Sequence, residues 1–368
     1  MKYNVQLHTG SFFHSNITPE EAVKQLKRVL GRLPVETVIW GWSSEKKLNR
    51  AISDTLEESG CQSFIWLPVF SETPEGTETD PYVPLFEQGS SGIELSADEH
   101  FEFVCPSSRR NMDNALKMAA SIAGENYVTG IFMDRIRYPS AANSVGAFAG
   151  CMCERCKAVY RKFGVDIARL EEIMKREKAG GTLKPRAVEE GRYQFDDSTI
   201  DGLFRAKRAI INEAVEYLSG RIHDMGLKVG IDTFAPVLSD FVGQDLAGIA
   251  GRVDMIKPMF YSKTTAPAGI PFELDAIEKF FGVEKKTFEG LWSCSPDDPS
   301  SIARQMEPLK NKKELLSPGV EANSIKGICG STPDYVLRSR GEIEKLGVKT
   351  MTLSWNISLI PDSLFDIL

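Results

Sequence analysis

At 368 residues the chain exceeds an average domain, yet α/β barrels run this long as one unit. Its 42% hydrophobic and 26% charged residues are those of an ordinary globular protein, and a formal charge of −7 offers no basic face to nucleic acid. No run approaches the roughly 18 apolar residues that a membrane span needs. The opening MKYNVQLHTG reads as a strand and holds no apolar stretch of a signal peptide. Seven cysteines, odd in number and unevenly spread, fit a reducing compartment better than a disulfide framework, so a cytoplasmic location is expected.

In chain order, Asn4 to His8 alternates as a short strand. Thr18-Pro19-Glu20-Glu21 then predicts a helix start: Thr caps, Pro takes the first helical position, and Glu sits three after the cap. Ala22, Val23, Leu26, Val29, Leu30 and Leu33 follow at helical spacing, predicting one buried face. Residues 37–42 predict a second strand, 45–59 a polar helix, and 63–70 a third strand. A long loop from Ser71 to about Phe101, rich in Glu, Gly, Pro and Ser, is of a length usually tied to function or disorder. A helix over 109–124 leads into the apolar strand at Gly130, which ends in Asp134 with Arg137 and Tyr138 just beyond.

The stretch from Cys153 to Gly181 reads as a broken helix, and 200–225 as a long one ending at Gly226. Further strands are predicted at 228–234, 253–261, 315–322 and 350–356, with a helix capped by Thr332-Pro333-Asp334 before the last. Eight strands alternating with helices imply a parallel sheet, and eight such units close into a (β/α)₈ TIM barrel. The expectation is one catalytic barrel over residues 1–368, with long loops after strands three and four. An open doubly wound sheet is the competing architecture, but no Gly-x-Gly-x-x-Gly follows the first strand.

Barrel active sites gather at the C-terminal ends of the strands. Those ends hold His8, Trp40, Trp42, Trp66, Asp134, Arg137, Tyr138, Asp232, Lys257, Tyr261, Glu321, Trp355 and Asn356. Trp40 and Trp42 flank Gly41 and are expected to face one side. Acids among aromatics suit a sugar ring better than a phosphate. No Gly-x-Ser-x-Gly elbow occurs, and none of the four histidines pairs at metal-binding spacing. Each candidate has a structural alternative: Asp232 as a turn cap, Lys257 as an ion-pair partner, the tryptophans as core.

The phrase FMDRIRYP (residues 132–139) resembles the D-x-x-R-Y-P strand four of TIM-barrel glycoside hydrolase families. VGQDLAGIAGRVDMIKPMFYS (residues 242–262) resembles their G-Q-D … V-D-x-x-x-P-M-x-Y stretch. Those families carry an aromatic where this chain has Arg135. Cys151-x-Cys153-x-x-Cys156, with Cys105 upstream, is similar to the four-cysteine zinc site of family 42 β-galactosidases. That resemblance implies a structural Zn²⁺ joining the loops after strands three and four, because four thiolates leave no open position. Cys329 is a possible substitute for Cys105. The catalytic residues do not carry over together: family 42 has an Asn-Glu pair where this chain has Arg135-Ile136, whereas its strand-seven nucleophile matches Glu321.

The resemblances and the rim together imply a glycoside hydrolase acting on a small carbohydrate or glycoside, with Asp134 and Glu321 as the leading carboxylates and Asp232 as the third. His8, Trp40, Trp42, Trp66, Arg137, Tyr138, Lys257, Tyr261, Trp355 and Asn356 are the substrate-binding expectations. The alternatives are a non-catalytic carbohydrate-binding barrel and a lyase or aldolase with Lys257 as its Schiff-base amine.

Overall fold

The computed structural model describes residues 1–11, 14–74, 76–86, 102–176 and 181–368. Its eight central strands are β1 (Lys2–His8), β2 (Val35–Gly41), β3 (Gln62–Pro68), β4 (Gly130–Asp134), β5 (Lys228–Phe234), β6 (Met255–Met259), β7 (Gly319–Glu321) and β8 (Thr350–Ser354). Each pairs in parallel with the next, and β8 returns to β1, so the sheet is a closed barrel with helices between its strands. The (β/α)₈ expectation holds. The part of the predicted long loop at 87–101 lies outside the described residues. Among the described residues, no helix is long and apolar enough to cross a membrane.

The main helices are α1 (Pro19–Leu30), α2 (Lys46–Ser59), α3 (Arg109–Glu125), α4 (Glu154–Lys162), α5 (Ile167–Lys175), α6 (Ser198–Asp224), α7 (Ile270–Phe281), α8 (Lys285–Trp292) and α9 (Pro333–Lys345). The caps read from the sequence form as expected. Thr18 accepts the Glu21 N–H at the start of α1, and Thr332 accepts the Tyr335 N–H at the start of α9. Ala22, Leu26 and Val29 are the buried face of α1.

Strand ends moved more than strand positions. The sixth strand shrinks to 255–259 and the seventh to 319–321; the seventh starts late because residues 313–315 wind into a 3₁₀ turn and Pro318 has no N–H for a ladder. Two hairpins, 187–194 and 324–330, were not foreseen. Strands of two or three residues are too short to display a period of two.

The barrel interior changes character from bottom to top. Near the N-terminal ends of the strands, Asn4 donates to Ser317 Oγ at 2.9 Å, and Ser317 bonds Thr352 Oγ1 at 2.7 Å. Ile39, Phe64, Phe132 and Met255 form an apolar cluster that continues upward to Trp42 and Trp66. The buried Lys257–Asp232 pair lies above it. Glycine makes room for this packing. A Cβ on Gly130 would lie 2.5 Å from the Phe64 ring, and one on Gly319 would lie 2.7 Å from Lys257 Cε. Both separations are shorter than carbon atoms tolerate, so the large side chains occupy the glycines' share of the interior.

Adding a methyl at such a site forces off-rotamer packing, a penalty of about 1–3 kcal/mol. Gly130→Ala is therefore expected to lower the unfolding free energy by that amount, seen as a lower urea midpoint, and Phe64→Leu in the same chain to restore part of it. Equilibrium denaturation of the single and double variants measures both effects.

Candidate active site

Asp134 ends β4, facing inward like Phe132 two residues before it. Its Oδ2 accepts the indole N–H of Trp66 at 2.9 Å, and its Oδ1 accepts the Arg135 N–H at 2.6 Å. Trp66, Trp42 and His8 stand edge to face around this carboxylate, with ring centroids 5.1 to 5.8 Å apart. The Arg135 guanidinium lies 4.4 Å from the Trp42 ring centroid and is tethered to Ser71 Oγ and to the Glu72 carboxylate. Arg135 adopts a left-handed φ of 51°, sparsely populated for a residue with a Cβ, which turns the chain sharply beyond Asp134.

Asp232 stands on β5, in register one step beyond the Met133–Ile231 pair, which puts it beside Asp134 on the neighbouring strand. It is 3% exposed, and Lys257 on β6 donates to both its oxygens at 3.1 and 2.9 Å. Lys257 is itself fully buried, with Tyr261 Oη 2.8 Å away. Burial pushes the Asp232 carboxyl up to about 7; Lys257 opposes that rise and the charge of Asp134 adds to it. The lysine thus acts as the ion-pair partner that the sequence offered as an alternative to a ligand contact.

Glu321 ends β7 with no exposure to solvent. Tyr335 donates to its Oε2 at 2.5 Å, and the Lys263 N–H donates to its Oε1. Burial raises this carboxyl to about 8 despite those donors. Both oxygens are therefore engaged by protein groups, whereas Asp134 is only half-buried.

The remaining candidates divide. Trp355 packs against the inner cluster, 5.9 Å from the Tyr261 ring, and Asn323 Oδ1 holds its N–H at 2.5 Å. Arg137, 4% exposed, lies over the Phe234 and Phe103 rings and donates to Tyr138 O. Burial brings its guanidinium down to about 10, while Glu273, Asp134 and Asp232 hold it up. Tyr138 is fully buried near the Tyr82 ring and the Lys207 ammonium, away from the rings around Asp134. Asn356 caps the 3₁₀ turn at 357–359 by accepting the Ser358 N–H.

Trp40 corrects the expectation that it faces the same side as Trp42. It donates to Ser63 Oγ at 2.9 Å within the core shared with the helices, while Trp42 joins the inner cluster. The reason is Gly41 between them. At φ 154°, where a Cβ would meet Trp66 O at 2.5 Å, the chain leaves the strand's alternation before Trp42.

Sequence reasoning missed Tyr335, Glu273 and Gln244. Gln244 accepts the Phe234 N–H at 2.8 Å and donates to Asp232 O at 3.1 Å, so it fixes the end of β5 from the following loop. Its neighbour Asp245 holds Arg192 through two 3.0 Å bonds. The Gly-Gln-Asp phrase was the available signal, and its role is to brace the strand end. Nothing local marked Glu273, whose relation to Arg137 crosses two loops.

Cys105, Cys151, Cys153 and Cys156 bring their sulfurs within 4.8 Å of one another. The Cys105–Cys153 and Cys105–Cys156 separations are 3.5 and 3.8 Å. A tetrahedral Zn²⁺ with bonds of about 2.3 Å spaces its sulfurs about 3.8 Å apart, so the set fits that ion. The thiols of Cys151 and Cys156 hold Cys105 well below the usual thiol range, and Cys105 in turn pushes Cys151 up to about 12. Sulfurs this close resist carrying charge together without a cation among them. Cys329 is not the fourth member; it pairs with Ile325 in the hairpin after β7. The cluster fastens the loop approaching α3, at Cys105, to the one entering α4, at 151–156; beside it, Met152 N donates to Val83 O and Leu85 N to Gly146 O.

No family model matches the sequence, and no curated protein does. Among solved structures, the chain is similar to the PgaB (BpsB) glycoside hydrolase domain of Bordetella bronchiseptica. The TM-score is 0.61 at 13% identity, over 100% of this chain and 98% of that one. It is also similar to the catalytic domain of a β-amylase from Paenibacillus polymyxa, with a TM-score of 0.54 at 10% identity, over 99% and 94% of the two chains. At such identities the likeness is one of fold. The chain is a (β/α)₈ barrel of the architecture found in glycoside hydrolases.

Two measurements follow from the site. Asp232 and Glu321 bind protons more tightly when folded, rising from 3.8 to about 7 and from 4.5 to about 8. Between those limits the folded state holds more protons than the unfolded one, so stability falls as pH rises from about 4 to about 8. Melting curves across that range should show the decline, and Glu321→Gln should flatten it. For the cysteines, elemental analysis tests the cluster as a metal site: the expected outcome is about one metal ion per chain, falling well below one in Cys156→Ser with a lower melting temperature.

Proposed function

We propose that the protein is a glycoside hydrolase that cleaves a small carbohydrate or glycoside at the barrel mouth, with Asp134 and Asp232 as its working carboxylates. The observation that carries this reading is the Asp134 carboxylate, held by Trp66 among three aromatic rings and set beside an acid whose pKa burial has raised to about 7. Glycoside hydrolysis needs one carboxyl that can give a proton to the leaving oxygen and a second that attacks or activates water. Two neighbouring acids in unlike environments suit that division, with Asp232 as the proton donor near neutral pH and Asp134 as its partner. The aromatic faces of Trp42, Trp66 and Trp355 would carry the C–H surface of the sugar, and His8 a hydroxyl.

Glu321 ranks behind Asp232 in this reading, because Asp232 stands on the strand next to Asp134, whereas Glu321 ends a strand farther round the barrel. The buried Lys257 amine, bonded to Asp232 and Tyr261, weighs against the Schiff-base alternative, and its service is to position Asp232. That solved structures similar to this chain include a glycoside hydrolase domain and a β-amylase domain agrees with the proposed chemistry. In the same reading, Cys105, Cys151, Cys153 and Cys156 hold a structural Zn²⁺. When bound, the ion would supply only a cross-link between the two loops, since four thiolates close its coordination.

The test is a panel of aryl glycosides and oligosaccharides. A general acid or base contributes about 10²–10⁴-fold, so Asp134→Asn and Asp232→Asn should each lower kcat on the active member by at least 10²-fold. Activity should also fade as pH rises through about 7, where Asp232 loses its proton. If both variants keep full activity on that substrate, the assignment is wrong; loss in Glu321→Gln alone would move the second role to Glu321.

A further inference from the structure

The four-cysteine cluster poses a problem of charge as well as geometry. Cys105, Cys151 and Cys156 are buried, and four thiolates around a divalent ion leave the centre with two negative charges in excess. Charge buried in that way is costly unless hydrogen-bond donors or cations meet it. Three such groups stand around the sulfurs. The Val83 N–H donates to Cys151 Sγ at 3.4 Å. Ser107 Oγ lies 3.2 Å from Cys105 Sγ and 3.2 Å from Cys156 Sγ. Sulfurs bound to a metal carry no proton, so in the loaded centre the hydroxyl is the donor and the sulfurs are its acceptors.

The third group is Arg155, inside the Cys-x-Cys-x-x-Cys motif. Cys153 precedes α4 at the cap position, which places Arg155 in the first helical turn, where the helix dipole disfavours a cation. Something outside the helix must offset that cost. Arg155 donates to Asp80 Oδ2 at 2.6 Å; burial works against its charge, but Asp80 and the Cys105 sulfur together keep the guanidinium protonated. Asp80 has other partners of its own, since Ser108 Oγ donates to it at 2.7 Å and Arg110 lies at 3.5 Å. It is also fixed to the cluster: Cys105 N donates to its carbonyl at 3.1 Å, and Asn111 Nδ2 bonds the carbonyls of both residues. Asp80 thus works as a post that aims Arg155 at Cys105.

We infer that Ser107 and Arg155 are positioning residues of the metal centre. The Ser107 hydroxyl hydrogen-bonds the Cys105 and Cys156 thiolates, and Arg155, aimed by Asp80, offsets the negative charge left on the ion and its sulfurs. The inference rests on the reading of the four cysteines as a metal site. Partners that hold a metal's ligands in this way typically govern its affinity by about 10–100-fold.

The test uses full-length protein stripped of metal and titrated with Zn²⁺ against a chromophoric chelator. Ser107→Ala and Arg155→Met should each weaken zinc binding at least tenfold, and Arg155→Lys, which keeps the charge, should recover most of the loss. With Co²⁺ in place of zinc, loss of the hydroxyl donor leaves the sulfurs richer in electrons. Ser107→Ala should therefore move the sulfur-to-cobalt charge-transfer band to longer wavelength, a shift that loosened loops alone do not produce. Zinc affinity within twofold of wild type in either variant overturns the assignment of that residue while leaving the metal site in place. An unmoved cobalt band does the same for Ser107, and a lysine no better than methionine at position 155 does so for Arg155. A wild-type protein that takes up neither ion overturns both the metal site and the inference.

Discussion

The buried contact between Lys257 and Asp232 is the interaction on which the upper barrel depends. Two charges taken out of water are stabilised only where geometry and further hydrogen bonds compensate their lost hydration. Here both Asp232 oxygens meet the ammonium, and Tyr261 Oη supplies a third contact. The pair exists because β7 presents glycine at 319, leaving the interior open to the Lys257 stem. Removing either charge would leave the other stranded above an apolar cluster. The arrangement therefore fixes where Asp232 stands and how close it comes to Asp134.

Around that pair, the loops follow a division of labour. The loop after β4 supplies Arg135 and Arg137, one covering Trp42 and the other lodged between Phe103 and Phe234. The loop after β5 supplies Gln244 and Asp245, which brace the strand end and hold Arg192. Farther out, the four cysteines join the loop approaching α3 to the one entering α4. Asn111 extends the same fastening, since its side chain bonds the backbone of Asp80 and Cys105. Long irregular segments are held by many small polar contacts because they lack a helix or sheet to pair their backbone groups.

Lys207 shows how far the polar loops penetrate the core. It belongs to α6, is fully buried, and gives its ammonium to the carbonyls of Phe148 and Phe241. The Tyr138, Phe148 and Phe204 rings surround it. Burial brings this amine down to about 7. Tyr138, read from the sequence as a companion of Asp134, belongs to this second layer. A tyrosine four residues past a strand end can turn toward the mouth or the helices, and local pattern does not distinguish the two.

What the sequence determined by itself was local. Apolar runs of strand length, helices with Thr-Pro caps and their alternation settled eight β-α units, because each signal spans only a few neighbouring residues. Cys-x-Cys-x-x-Cys marked the sulfur cluster for the same reason, since a short loop cannot carry those thiols far apart. The tertiary structure decided which distant residues meet. Only closure and register set Asp134 beside Asp232, enclosed Glu321 against Tyr335, and separated Trp40 from Trp42 at Gly41. Burial and pairing arise between strands far apart in the chain, and these govern a carboxyl's proton affinity. The fold was therefore legible in order, while the chemistry of its acids became legible only in three dimensions.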